Sequence, residues 1–109
     1  MTFNEYQKKA IALAKPWDDR DMQLAYYGLG LAGEAGECVD AIKKHLSGSK
    51  PIDTDAIKRE LGDVLWYLNA LTTHFEFELD DVAKTNIVKL TARHGTHWSG
   101  YGNREGEGK

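Results

Sequence analysis

The chain has 109 residues, 28% charged and 41% hydrophobic, which allows one domain with a modest core and leaves no room for two. Its 14 basic and 17 acidic side chains give a formal charge of -3, so no broad basic face is available to hold duplex nucleic acid. The single cysteine, Cys38, excludes an internal disulfide and a cysteine-built zinc cage, and no apolar run reaches membrane-spanning length.

Thr2 and Glu5 have the Thr-x-x-Glu spacing of a capping box, which starts a helix at Phe3. That helix is expected to run to about Lys15, to bury Phe3, Tyr6, Ala10 and Leu13 or their neighbours, and to stop at Pro16. Trp17 to Arg20 form a short linker in which Asp18 or Asp19 can cap the next helix. The second helix spans about Asp21 to Leu46. Leu24, Leu31, Ala35, Cys38, Val39, Ile42 and Leu46 give it an apolar stripe near helical period. Ser47 to Pro51 is loop by composition. Asp53 or Thr54 caps a third helix that ends near Phe75 and turns Ile57, Leu61, Val64, Leu65, Leu68 and Leu71 inward. A fourth helix follows from about Leu79 to Arg93 or His94, closed by Gly95. The sequence therefore predicts an all-α domain over residues 1–94 and a glycine-rich flexible tail over 95–109.

Two local patterns imitate chemistry. Gly28-Leu29-Gly30-Leu31-Ala32-Gly33 matches the G-x-G-x-x-G dinucleotide fingerprint, but no strand precedes it and a helical stripe runs through it. Gly28, Ala32 and Gly36 read instead as a small-residue strip where another helix or a ligand comes close. His94-x-x-His97 is half a metal site at most, with no cysteine or nearby acid to complete it.

The acids are more informative. Glu34 and Glu37 are spaced i, i+3, and so are Glu60 and Asp63, so each pair projects from one helix face. If the second and third helices fold back antiparallel over the loop between them, Glu37 lies level with Glu60 and Glu34 with Asp63. Four carboxylates then share one patch, where they repel unless protons or hard divalent cations neutralise them. Asn86, Lys89 and Arg93 form a second polar stripe at i, i+3 and i+7 on the fourth helix. An amide, an ammonium and a guanidinium on one face suit a polyphosphate. Lys44, at i+7 from Glu37, is a further phosphate candidate.

On GLAGEAGE (Glu34, Glu37), the following Lys43-Lys44, RELGDVLWYL (Glu60, Asp63) and Asn86-x-x-Lys89-x-x-x-Arg93, the chain resembles the MazG-like nucleoside triphosphate pyrophosphohydrolases. The resemblance covers about Leu24 to Arg93. It implies an all-α four-helix bundle completed by oligomerisation, and magnesium (with manganese as a substitute) held by Glu34, Glu37, Glu60 and Asp63. It also implies that Asn86, Lys89 and Arg93 hold the substrate's phosphates. The activity implied is hydrolysis of a nucleoside triphosphate to monophosphate and pyrophosphate, a house-cleaning of the nucleotide pool. Glu37, or else Glu34, would take the proton of the attacking water. Trp17, Tyr27, Trp66 and Tyr67 are candidates for the wall against a base, each also serviceable as core filling. The sequence names no preferred base.

Two other designs use similar residues. A dimetal redox bundle normally adds Glu-x-x-His pairs, and no Glu here has a His three residues later. A non-catalytic helical metal-binding or interaction module would not need both the acidic quartet and the basic stripe. Aromatic and aliphatic residues fall on several helix faces, which predicts a homodimer or homotetramer. The lone cysteine and the absence of a signal-peptide pattern point to the cytoplasm.

Overall fold

A computed structural model describes residues 1–97, which contain four α-helices and no strand: α1 (Phe3–Ile11), α2 (Arg20–Leu46), α3 (Thr54–His74) and α4 (Leu79–His94). From residue 98 onward, the expected glycine-rich tail lies outside the described residues.

The capping box at Thr2 is formed, with Glu5 N donating to Thr2 Oγ1 at 3.0 Å and Thr2 N to Glu5 Oε1 at 3.3 Å. α1 nevertheless ends at Ile11, short of the Lys15 expected from sequence. In a helix continued to Pro16, the proline ring would strike the carbonyl four residues back, that of Ala12. The chain tightens instead, with Leu13 N donating to Ala10 O (3.1 Å) and Ala14 N to Ile11 O (3.0 Å). Asp19 caps α2 by accepting from Asp21 N and Met22 N, and Asp53 caps α3 by accepting from Ala56 N.

The C-termini of α2 and α3 close in the same way. Ser49 N donates to Lys44 O and Gly48 N to His45 O, with Gly48 at φ 80°, a Schellman ending. At α3, Phe77 N donates to Thr72 O and Glu76 N to Thr73 O, but the left-handed position (φ 62°) is held by Glu76.

α4 lacks a side-chain cap of its own at Glu78. α1 supplies it from a distance in sequence: Gln7 Oε1 accepts from Leu79 N (2.9 Å) and Asn4 Oδ1 from Asp80 N (3.0 Å). Gln7 Nε2 also donates to Phe77 O and Thr73 Oγ1, so one glutamine ties α1 to the α3–α4 turn.

α2 and α3 form a long antiparallel hairpin. α1 lies along α3, pinned by Trp66 Nε1 donating to Ala10 O at 3.1 Å. α4 packs on α1 and α3 and does not pack on α2. The apolar core is small, since only Ala10, Tyr27, Ala70 and Leu79 are buried among the hydrophobic side chains described. Several residues expected to turn inward are exposed instead: Phe3, Leu13, Val39, Ile42, Leu46, Leu61 and Leu68. Helical spacing places the last five on the side of the hairpin away from the acids, where no other helix among the described residues covers them. Among the described residues the bundle is therefore left open along one apolar face.

Candidate active site

Because α2 and α3 run antiparallel, the two acidic pairs meet across the hairpin. One carboxylate oxygen from each of Glu34, Glu60 and Asp63 lies within 4.8 Å of the others. Glu37 stands outside this triad, one turn toward the α2–α3 loop. There it lines, with Glu60, a polar cavity of about 270 Å³ that also receives Asp40, Lys44 and Lys50. Partial burial pushes the Glu34 carboxyl above its ordinary range, and the negative charges of Asp63, Glu60 and Glu37 push it further. Three hard oxygen donors that repel one another fit a hard divalent cation, which would relieve the strain on Glu34.

The sequence missed Tyr6 as a neighbour of this cluster. Burial raises its phenol first and the charge of Asp63 second, which places α1 at the rim of the acids. Its signal was weak, since α1 precedes the hairpin and Tyr6 looked like ordinary core.

Lys44 is committed to Asp40 at 2.9 Å, and that hydrogen bond holds its ammonium above the usual lysine range. It reaches the acids only through the shared cavity with Glu37 and Glu60. Asn86, Lys89 and Arg93 sit on α4, Asn86 and Lys89 exposed and Arg93 half-buried. Since α4 does not pack on α2, the chain does not bring this stripe against the helix that carries Glu34 and Glu37.

The four aromatic candidates do come together, joined by a fifth. Tyr26 bridges Trp17 (ring centroids 5.0 Å) and Tyr67 (6.2 Å). Tyr27 meets Trp66 edge-on at 6.0 Å, and Trp66 meets Tyr67 at 5.1 Å. Tyr26 could have been found from its spacing, because it shares a helix face with Gly30, Gly33 and Glu37. The adjacent Tyr26 hydroxyl raises the Tyr67 phenol most, followed by burial and the charges of Tyr26, Glu34 and Asp63, so the aromatic cluster borders the acids directly.

Tyr67 can lie there because residue 30 is glycine. A Cβ built on Gly30 would fall 2.6 Å from Tyr67 Cζ and closer still to Cε1 and Cδ1. Gly28 and Gly36, the glycines of the expected Gly28, Ala32 and Gly36 strip, have open space around them among the described residues. The close approach is at Gly30, where a ring and not a helix takes the room.

The Gene 37 protein of Mycobacterium phage L5 is 38% identical to this chain over 74 residues, covering 64% of this chain and 65% of that protein. The match thus spans less than two thirds of that relative's length. No solved structure matches the chain. Residues 23–98 match the MazG nucleotide pyrophosphohydrolase domain, a span that contains both acidic pairs and the whole of α3 and α4. The chain belongs to the MazG nucleotide pyrophosphohydrolase family.

Proposed function

We propose that this protein is a magnesium-dependent nucleoside triphosphate pyrophosphohydrolase that converts a ribo- or deoxyribonucleoside triphosphate to the monophosphate and pyrophosphate. The observation that carries the proposal is the triad of Glu34, Glu60 and Asp63, within 4.8 Å, in a chain of the MazG family. Those three hold magnesium or manganese, and Glu37 completes the set from the loop side. When bound, the cation supplies neutralisation of the triphosphate and a more acidic water.

The remaining work belongs to side chains of the protein. Glu37 takes the proton of the attacking water, with Glu34 as the alternative base. Asn86, Lys89 and Arg93 hold the phosphates and stabilise charge on the leaving pyrophosphate, with Lys44 as a further contact. Trp17, Tyr27, Trp66 and Tyr67 wall the base. Because α4 does not reach α2 within one chain and the opposite apolar face is open, the active form is a homodimer or homotetramer. The reaction takes place in the cytoplasm.

The test is pyrophosphate release from each common ribo- and deoxyribonucleoside triphosphate, with magnesium and with excess chelator. Release that needs magnesium and disappears in Glu60→Gln supports the proposal; undiminished release in chelator overturns the metal reading. Light scattering at low micromolar concentration reads the assembly, and an active monomer there would refute it.

A further inference from the structure

The outer side of α4 carries a groove of about 640 Å³, lined among the described residues by Phe77, Asp81, Val82, Lys84, Thr85 and Val88. Asp81, Lys84, Thr85 and Val88 are spaced i, i+3, i+4 and i+7, so they share one face of the helix, with Phe77 at its foot. Phe77 is 58% exposed and Val88 62%. Phe75, also exposed, stacks on Phe77 with ring centroids 6.0 Å apart. Apolar side chains this open, grouped along one groove, mark a contact surface.

This face is separate from the others the chain presents. Buried Leu79 and half-buried Ala83 mark the side of α4 that meets α1 and α3, roughly opposite the groove. Asn86, Lys89 and Arg93 lie about 120° round the helix axis from it. The open apolar face of the hairpin belongs to α2 and α3. Along the chain the groove face reads apolar Phe77, acidic Asp81, basic Lys84 and apolar Val88, at intervals of four, three and four residues. Read backwards, it is the same pattern with acid and base exchanged.

We propose that α4 pairs antiparallel with α4 of a second copy of this chain through this groove, in a contact distinct from the open face of the hairpin. With the two-fold axis level with the bond between Val82 and Ala83, Asp81 stands opposite Lys84 of the second copy and Phe77 opposite Val88 of the second copy. Each pairing occurs twice, as a self-complementary two-fold contact requires. A helix of a different protein would have to present the same four-residue pattern by coincidence. The inference rests on the proposed assembly through the hairpin face for one point only: two different two-fold contacts on one chain close into a tetramer, where the hairpin contact alone gives a dimer. The phosphate stripe stays clear of the contact.

Light scattering on the full chain, at one fixed concentration, reads the mass of wild type, Asp81→Lys, Lys84→Glu and an equimolar mixture of the two variants. Either variant alone sets like charges opposite each other twice in the contact, and should show half the wild-type mass. In the mixture both charge pairs between unlike copies are attractive, so the mass should return to that of wild type. A fold lost to the substitutions could not be recovered in this way. Val88→Asp, which presses an unpaired acid against Phe77 of the second copy, should also halve the mass. Single variants that keep the wild-type mass, or a mixture that stays at half, would overturn the inference and leave the groove to residues 98–109 of the chain or to another protein. A wild-type monomer would overturn it together with the assembly proposed above. Halving from two subunits to one would uphold the pairing of α4 and refute the hairpin contact. None of these masses depends on what the chain hydrolyses, so failure of the proposed activity reads out separately.

Discussion

Gly30→Ala separates two opposing effects whose sizes can be worked out beforehand. In an open helix position, replacing glycine by alanine stabilises by about 1 kcal/mol. At Gly30 the new Cβ meets the Tyr67 ring at 2.6 Å from Cζ and nearer to two other ring carbons. Carbon atoms rest at about 3.5–4.0 Å, so the ring must retreat by roughly 1 Å or more. Tyr67 is confined by Trp66 and Tyr26, and overpacking of this kind costs about 1–3 kcal/mol. Gly36 has open space where its Cβ would go, so Gly36→Ala keeps the whole propensity gain. The two alanine variants should therefore differ by about 1–3 kcal/mol, a gap of at least about 4 °C in Tm for a domain of this size. Thermal melts at one fixed protein concentration measure it. In a Tyr67→Ala background the penalty should vanish and Gly30→Ala should become stabilising. If Gly30→Ala alone stabilises as much as Gly36→Ala, the ring does not occupy that groove and the account of the aromatic cluster fails.

Three further outcomes are expected. Glu34 has a carboxyl raised above its ordinary value of 4.5, so its metal-free repulsion destabilises the fold increasingly as pH climbs from there through the raised value. The Tm advantage of Glu34→Gln over wild type should widen across that interval and disappear in saturating magnesium; a gap that narrows with rising pH would contradict it. Glu76→Gly relieves a left-handed residue at the α3 ending and should stabilise by about 1 kcal/mol in chemical denaturation, and a loss of stability would show that the Glu76 side chain compensates for its backbone. Lys89→Ala with Arg93→Ala should cut kcat/KM for triphosphates by well over tenfold, since each charge-assisted contact is worth about 1.5–3 kcal/mol, and full activity in the double variant would make the stripe a solvated face.

Local chemistry was legible in the sequence wherever the cause was local. Capping acids at Asp19 and Asp53, the capping box at Thr2 and the glycine at position 95 each fixed a helix end to within a residue or two. The end of α1 was misplaced because the effect of Pro16 acts four residues upstream, on the carbonyl of Ala12. The apolar stripes were visible, but periodicity alone does not say what covers them. Val39, Ile42, Leu46, Leu61 and Leu68 have the spacing of core residues and stand exposed in the single chain. The tie from Gln7 to the start of α4 carried no signal at all, since it joins residues 72 positions apart through a backbone N–H that any residue would present.

The candidate site follows from one register. Antiparallel pairing that sets Glu34 opposite Asp63 also sets Glu37 opposite Glu60, and the other facing residues can be counted outward from there. Toward the loop, Ala41 faces Ala56, and both line the cavity that holds Glu37 and Lys44. In the other direction Gly30 faces Tyr67, which is the observed close approach. One turn further Tyr27 faces Ala70, a large ring against the smallest side chain, both buried. Beyond them Gln23 faces His74, at 2.6 Å. Each step pairs groups that need one another: a ring needs the space of a glycine or alanine, and an amide needs a ring N–H. The two acidic rungs are the exception, because Glu34 and Asp63, and Glu37 and Glu60, repel. A slip of one residue along the hairpin would put Tyr67 against Leu29 or Leu31 and would remove the polar partner of His74. The neighbouring rungs thus hold the acids together against their own charge, as a cation site formed ahead of its cation requires.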